Sequence, residues 1–148
     1  MFLTRPLIVI IDDDTDDIEI LSDSLIALDM ECKYFDSGDQ ALLFFENNQA
    51  FGSLSSLVLL DFNMPRFNGL EILSQIKSNP VTRDIPVIIY STTLTDRLQK
   101  QLKELGAFAC YIKPWNYTDL KLHAKVFAQL ARNFSRQAEQ SKYAFFAV

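Results

Sequence analysis

The chain has 148 residues, 49% of them hydrophobic and twelve of them Phe, which is material for one well-packed core and leaves little for a second domain. Its formal net charge of −5 excludes non-specific binding to nucleic acid or to an anionic membrane surface, since either needs clustered Lys and Arg. Cys32 and Cys110 stand far apart in no metal-ligand spacing, no basic-then-apolar leader opens the chain, and Leu7–Ile11 is too short to cross a bilayer, so a cytoplasmic protein with reduced thiols is expected.

In chain order, Leu7–Ile11 predicts a first strand, and Thr15 or Asp14 then caps a helix from Asp16 to Leu28. Cys32–Phe35 predicts a second strand, followed by a helix through Phe44 and Phe45 that Ser37 caps. Leu57–Leu60 predicts the third strand. Pro80, after Asn79, and Pro86 mark the connection from a third helix to a fourth strand at Val87–Tyr90. Thr95 caps a helix through Leu98, Leu102 and Leu105, Gly106 stops it, and Cys110–Ile112 predicts the fifth strand.

From Tyr117 a longer helix is expected, because Leu120, Ala124, Phe127, Ala131 and Phe134 fall on one stripe that faces the sheet. A second line, Leu122, Val126 and Leu130, either widens the buried face or offers a surface to a partner. Tyr143 to Val148 are apolar and aromatic without a helix-specific pattern and are expected to fold back, pair with another copy or fray. The first, third and fourth strand runs are apolar without alternation, as in parallel strands covered by helices on both faces, so the alternating order predicts a doubly wound α/β sheet.

In open parallel sheets, ligands bind beyond the carboxyl ends of the strands, where loops converge. Those loops here carry Asp12-Asp13-Asp14, Asp61, Ser91-Thr92-Thr93 and Lys113-Pro114. Three carboxylates within about 5 Å of each other repel by roughly 3 kcal/mol per pair at an effective dielectric of about 20, so a cation must offset them. Carboxylates and a backbone carbonyl are hard oxygen ligands, and a few of them completed by water suit Mg²⁺, with Mn²⁺ as a substitute. A carboxylate is also a nucleophile toward phosphorus, forming an acyl phosphate, when a metal and a lysine neutralise the phosphoryl oxygens. Asp61, Lys113 and the pair Asp12 and Asp13 make up that set, and Ser91 offers a hydroxyl to a phosphoryl oxygen.

The order of VIIDDD, LLDFNMPRFNG, IIYST and YIKPW resembles the receiver domain of two-component response regulators, over residues 5–130. The resemblance implies a five-stranded parallel sheet in the flavodoxin-like order 2-1-3-4-5, a (βα)5 fold. It implies that Asp61 is the phosphorylated aspartate, Asp13 a direct metal ligand, Asp12 an acid that holds the metal through water, and Asn63 the donor of a backbone carbonyl to that metal. Lys113 matches the lysine that pairs with the acceptor, Ser91 the switch hydroxyl, and Pro114 a proline whose preceding peptide is cis in the family and aims Lys113 inward. Gly69 matches the glycine that lets the loop turn into the third helix. Asn63 and Thr93 match two variable positions that tune dephosphorylation. Two positions depart from the pattern: Cys110 stands where the family commonly has an aromatic switch, with Tyr111 next door on the other strand face, and Thr92 stands where Ala or Gly is usual.

Taken singly, these residues have structural readings. Asp14 caps a helix, Asp61 is a turn residue before Pro65, and Lys113 is a surface lysine. Their coincidence at four strand ends favours chemistry. Cys32 and Cys110 read as small buried hydrophobes, His123 as distant from the cluster, Trp115 as packing beside the site, and Lys121, Lys125, Arg132 and Arg136 as a solvated face.

The sequence therefore predicts a single receiver domain over 1–148, with a core at 5–132 and a helix extension and tail at 133–148. It is expected to be a phosphorylatable switch, not a turnover enzyme, taking its phosphoryl group from a histidine kinase or a histidine phosphotransfer protein. With the chain ending soon after the fifth helix, the output is expected to be a protein partner or a homodimer, through Thr95–Leu105, Cys110–Ile112 and the last helix, with no nucleic acid or membrane involved. The alternatives are a phosphorylation-independent binding module and an aspartyl-phosphate phosphatase. The latter chemistry ordinarily places its nucleophile after the first strand, with a second aspartate where this chain has Asn63.

Overall fold

A computed structural model describes residues 5–47, 55–65 and 67–146, of which 55, 67 and 137–146 are described for their backbone only. The elements are β1 (Leu7–Ile11), α1 (Thr15–Ile26), β2 (Glu31–Phe35), α2 (Gly38–Asn47), β3 (Ser55–Leu60), a short hairpin of β4 (Asn63–Met64) and β5 (Phe67–Asn68), α3 (Gly69–Ser78), β6 (Val87–Ser91), α4 (Asp96–Glu104), β7 (Ala109–Ile112) and α5 (Tyr117–Phe146). The main sheet has the order β2-β1-β3-β6-β7, all parallel. Counting only its five members, that is the expected order. The hairpin between β4 and β5 is too short to be read from a hydrophobic period.

Successive strand residues point to opposite faces, so the uninterrupted apolar runs of β1, β3 and β6 supply two cores at once. Leu7, Val9, Ile11, Val58, Leu60, Val87 and Ile89 join α2, α3 and α4 through Ala41, Phe45, Ile72, Leu73, Ile76 and Leu102. Ile8, Ile10, Leu57, Leu59, Ile88 and Tyr90 join α1 and α5 through Ile18, Leu21, Leu25 and Phe127. Both layers clamp the strand ends that carry the acids.

Helix ends follow local chemistry. Asp14, not Thr15, caps α1 by accepting from the amides of Asp16 and Asp17, and Thr95 caps α4 by accepting from that of Leu98. Gly106 follows α4 at φ 108°, a left-handed conformation that glycine adopts without cost.

On α5, Leu120, Ala124, Phe127 and Ala131 are buried and Phe134 packs beside them, whereas Leu122 and Val126 are 52% and 40% exposed. The second apolar line is thus a surface over most of its length, with only Leu130 against the core. Arg132, expected in a solvated face, is half-buried and donates to the carbonyl oxygen of Leu28 at 2.8 Å, tying α5 to the end of α1. The backbone helix continues to Phe146, through a stretch whose sequence carries no helix-specific pattern, while 147–148 lie outside the described residues. No helix among the described residues is long and apolar enough to cross a membrane.

The two apolar lines of α5 separate in a stability measurement. Phe127→Ala is expected to lower the unfolding free energy by about 3–5 kcal/mol in urea denaturation, and Val126→Ala by less than about 1 kcal/mol. Comparable losses at the two positions would overturn this assignment of the buried face.

Candidate functional site

The parallel ladder does not stop at the strand ends. The amide of Asp61 donates to Ile11 O at 2.9 Å, that of Asp12 to Phe35 O at 3.0 Å, and that of Lys113 to Ser91 O at 2.9 Å. Each of these residues, the first beyond its strand, therefore has its backbone fixed by the neighbouring strand. Their side chains converge at one edge of the sheet, as the loop pattern predicted.

Carboxylate oxygens of Asp12, Asp13 and Asp61 lie within 4.8 Å of one another, with Asp12 and Asp61 buried and Asp13 exposed. This is a hard, oxygen-only donor set open on one side, and it fits a small divalent cation. The Lys113 ammonium lies 2.5 Å from Asp12 Oδ2, 3.2 Å from Asp17 Oδ2 and 3.6 Å from Asp61 Oδ2. Asp12 Oδ1 accepts from the Asp14 amide at 2.9 Å. Asp61 Oδ1 accepts from the Ser91 hydroxyl at 2.9 Å and from the Asn63 amide at 3.1 Å, and Ser91 Oγ accepts from the Asn63 side-chain amide at 2.8 Å. Asp61, Ser91 and Asn63 thus form a closed ring of hydrogen bonds.

The charges do not balance. Burial pushes the Asp12 carboxyl up to about 7, with Asp61 adding to the rise, against the opposing pull of Lys113 and of the Asp14 amide. Burial also works to lower the Lys113 pKa, but Asp12, Asp61 and Asp17 outweigh it, so the ammonium keeps its proton above the ordinary lysine range.

Several expectations change here. The Lys113–Pro114 peptide is trans, correcting the cis bond implied by the resemblance. Trans is favoured at X–Pro by about 0.5–1 kcal/mol, and Lys113 reaches Asp12 from it. Trp115 is 103% exposed and does not pack against the site, because it follows Pro114 in the turn before α5 and points outward. Gly69 needs no left-handed φ. A Cβ there would lie 2.9 Å from Phe62 Cδ2 and 3.1 Å from its Cα, so the glycine serves a close approach of α3 to the loop after Asp61.

Cys110 packs on the face of α2, α3 and α4, and Tyr111 on the other face, as expected. Cys32 and Cys110 are half-buried, and burial raises both thiols, Cys32 to about 11, which keeps them unreactive.

Two features escaped the sequence reading. Asp17 reaches Lys113 from the first turn of α1, where a first-turn acid signals only a favourable helix dipole. His123 Nδ1 lies 2.9 Å from the hydroxyl of Tyr90, the residue before Ser91, in a ring cluster with Tyr111 and Phe127.

A sequence profile described as the response regulator receiver domain matches residues 8–125. A probable cyclic di-GMP phosphodiesterase of Vibrio cholerae is 33% identical over 141 residues, 95% of this chain but 31% of that protein. The chain likewise spans only 55% and 52% of two other curated relatives. Among solved structures, the phosphorylated cyanobacterial phytochrome response regulator RcpA has a TM-score of 0.75 at 26% identity, covering 84% of this chain and 91% of its own. The Mn²⁺-bound form of response regulator Rcp1 has a TM-score of 0.71 at 26% identity, covering 81% and 89%.

The raised Asp12 pKa has a signed consequence. A carboxyl that binds its proton more tightly when folded contributes stability that is fully present below its unfolded pKa, 3.8, and is lost as pH rises through about 7. Asp12→Asn, which does not ionise, is therefore expected to exceed the wild type in urea stability at about pH 8, by on the order of 2 kcal/mol, with the gap closing toward about pH 4.5. A gap that is constant across that range would refute the electrostatic account.

Proposed function

The chain belongs to the response regulator receiver domain family, and from that premise we propose that Asp61 accepts a phosphoryl group from a histidine kinase or histidine phosphotransfer protein. The observation that carries this reading is the convergence of Asp61 with two further carboxylates and a buried lysine at one sheet edge. Asp12, Asp13 and Asp61 would hold Mg²⁺ or Mn²⁺ through carboxylate oxygens, with Asn63 adding its backbone carbonyl. When bound, the ion would neutralise charge on the phosphoryl oxygens during transfer.

The chain's own residues do the remainder. A carboxylate oxygen of Asp61 attacks phosphorus, the bond from phosphorus to the donor breaks, and the electron pair leaves with the donor. Lys113 supplies positive charge from the Asp61 Oδ2 side. Ser91, whose proton lies on Asp61 Oδ1, has that proton available for a phosphoryl oxygen. The product is an acyl phosphate on the protein. The chain acts as a phospho-acceptor and is not assigned turnover of an external substrate.

The change is read by a partner protein or by self-association on the face of α4, β7 and α5. Support comes from β7 being an edge strand and from exposed apolar side chains there: Leu105 at 39%, Phe108 and Ile112 at 51%, Leu122 at 52% and Val126 at 40%. Phosphorylation biases a pre-existing equilibrium of that face.

Two measurements test these statements. With Mg²⁺ and acetyl phosphate, intact-mass spectrometry is expected to show one added phosphoryl group on the wild type and none on Asp61→Asn; an unmodified wild type would sink the acceptor reading. Light scattering with beryllofluoride is expected to show an increased mass that Leu122→Glu abolishes. An unchanged wild-type mass rules out self-association and leaves the partner as the output.

A further inference from the structure

Asp12 and Asp61 account for two of the three carboxylates on Lys113, and the third, Asp17, has no part in the acceptor reading. Resting on that reading, we propose that Asp17 is a positioning residue that anchors the Lys113 ammonium away from Asp61 and so makes the protein resist phosphoryl loading until the anchor is released.

The geometry carries this. Nζ lies at 2.5 Å from Asp12 and 3.2 Å from Asp17 but 3.6 Å from Asp61, so it sits on its anchors rather than on the acceptor. Asp17 is fixed in turn, because its amide donates to the capping carboxylate of Asp14 at 3.2 Å. Phosphorylation turns the Asp61 carboxylate into an acyl phosphate, whose negative charge lies on phosphoryl oxygens beyond the carboxylate, so an ammonium already standing off Asp61 must move outward to meet it. That movement loosens one of its anchors. Asp12, with a side chain 7% exposed and the oxygen nearest to Nζ, is the tighter of the two anchors. Asp17, with a side chain 37% exposed, is rehydrated on release and is the partner that gives way. Any ligand that draws the ammonium to Asp61 therefore works against the Asp17 contact, and its affinity is lowered by the strength of that contact.

Neutralising Asp17 also removes a negative charge near an anion site, so the test needs a matched control. Asp16, exposed on the same helical turn and not among the ion-pair partners of Lys113, provides it as Asp16→Asn. At saturating Mg²⁺, the beryllofluoride midpoint followed by amide NMR shifts is expected to fall about fivefold in Asp17→Asn relative to Asp16→Asn, and to return to the wild-type value in Asp17→Glu. Asp17→Ser serves as a second uncharged variant should Asp17→Asn fold poorly. Equal midpoints for Asp17→Asn and Asp16→Asn, with both loading, overturn the inference and leave the acceptor reading intact. The Lys113 ammonium ¹⁵N resonance, recorded without any phosphoryl analogue, separates the two failures. It is expected to shift in Asp17→Asn and stay in place in Asp16→Asn, and a resonance unmoved in both overturns the anchor even if the wild type takes no beryllofluoride.

Discussion

The structure turns on a charge imbalance at one sheet edge. Asp12 and Asp61 are buried beside the exposed Asp13, and the one cation among them, of the described residues, is the ammonium of Lys113. Left to relax, carboxylates at such distances would separate. They cannot, because the backbone amides of Asp12 and Asp61 are bonded to the neighbouring strands, and those strands are packed between two apolar layers. Core packing thus holds an electrostatically unfavourable arrangement in place. The same imbalance that raises the Asp12 pKa makes the site suited to a divalent cation and to a transferring phosphoryl group.

The two faces of the sheet give the site two different routes outward. Toward α4, the residue on β7 is Cys110, a small side chain with no ring to change orientation. On the opposite face, Tyr90 adjoins Ser91 in β6 and reaches His123 on α5 through its hydroxyl, with Tyr111 and Phe127 in edge contact around it. Burial raises the Tyr90 pKa first, with Asp17 and Asp12 adding to it, so its hydroxyl keeps its proton. His123, distant from Asp61 in sequence, is therefore three links from it, through Tyr90 and Ser91.

The legible part of this molecule is the part governed by period and by residue type at strand ends. Uninterrupted apolar runs mark β1, β3 and β6, and the polar residues at or just beyond the ends of β1, β3, β6 and β7 mark Asp12, Asp13, Asp61, Ser91 and Lys113, because a parallel sheet brings all its carboxyl ends to one edge. What the sequence hid depends on side-chain reach. Asp17 looks like any first-turn acid, and nothing in the spacing of 96 residues says that its oxygen meets Lys113. The need for glycine at Gly69 comes from the approach of Phe62, a tertiary contact that no local turn signal reveals. The trans peptide before Pro114 and the outward Trp115 are outcomes of a turn whose geometry is set by β7 and α5 together. The second line of α5 was undecidable from period alone. Its exposure is settled by Ala128, which is fully buried on the same helix and completes the core face instead.

How far a change at Asp61 travels is set by the ring it forms with Ser91 and Asn63. Ser91 has one proton, and it lies on Asp61 Oδ1, while the Asn63 side chain donates to the same hydroxyl. The Asn63 backbone amide closes the ring on Oδ1. A hydroxyl so held cannot exchange its acceptor without also altering what Asn63 meets, and Asn63 opens the hairpin that leads, through Asn68, into α3. Ser91 is the last residue of β6, and its carbonyl receives the Lys113 amide. A single exchange of acceptor at Ser91 is therefore coupled mechanically to three segments: the hairpin before α3, the end of β6 with Tyr90, and the turn before α5. The strands lie packed between two apolar layers, so deforming the sheet costs more than moving the hairpin before α3 or the turn before α5.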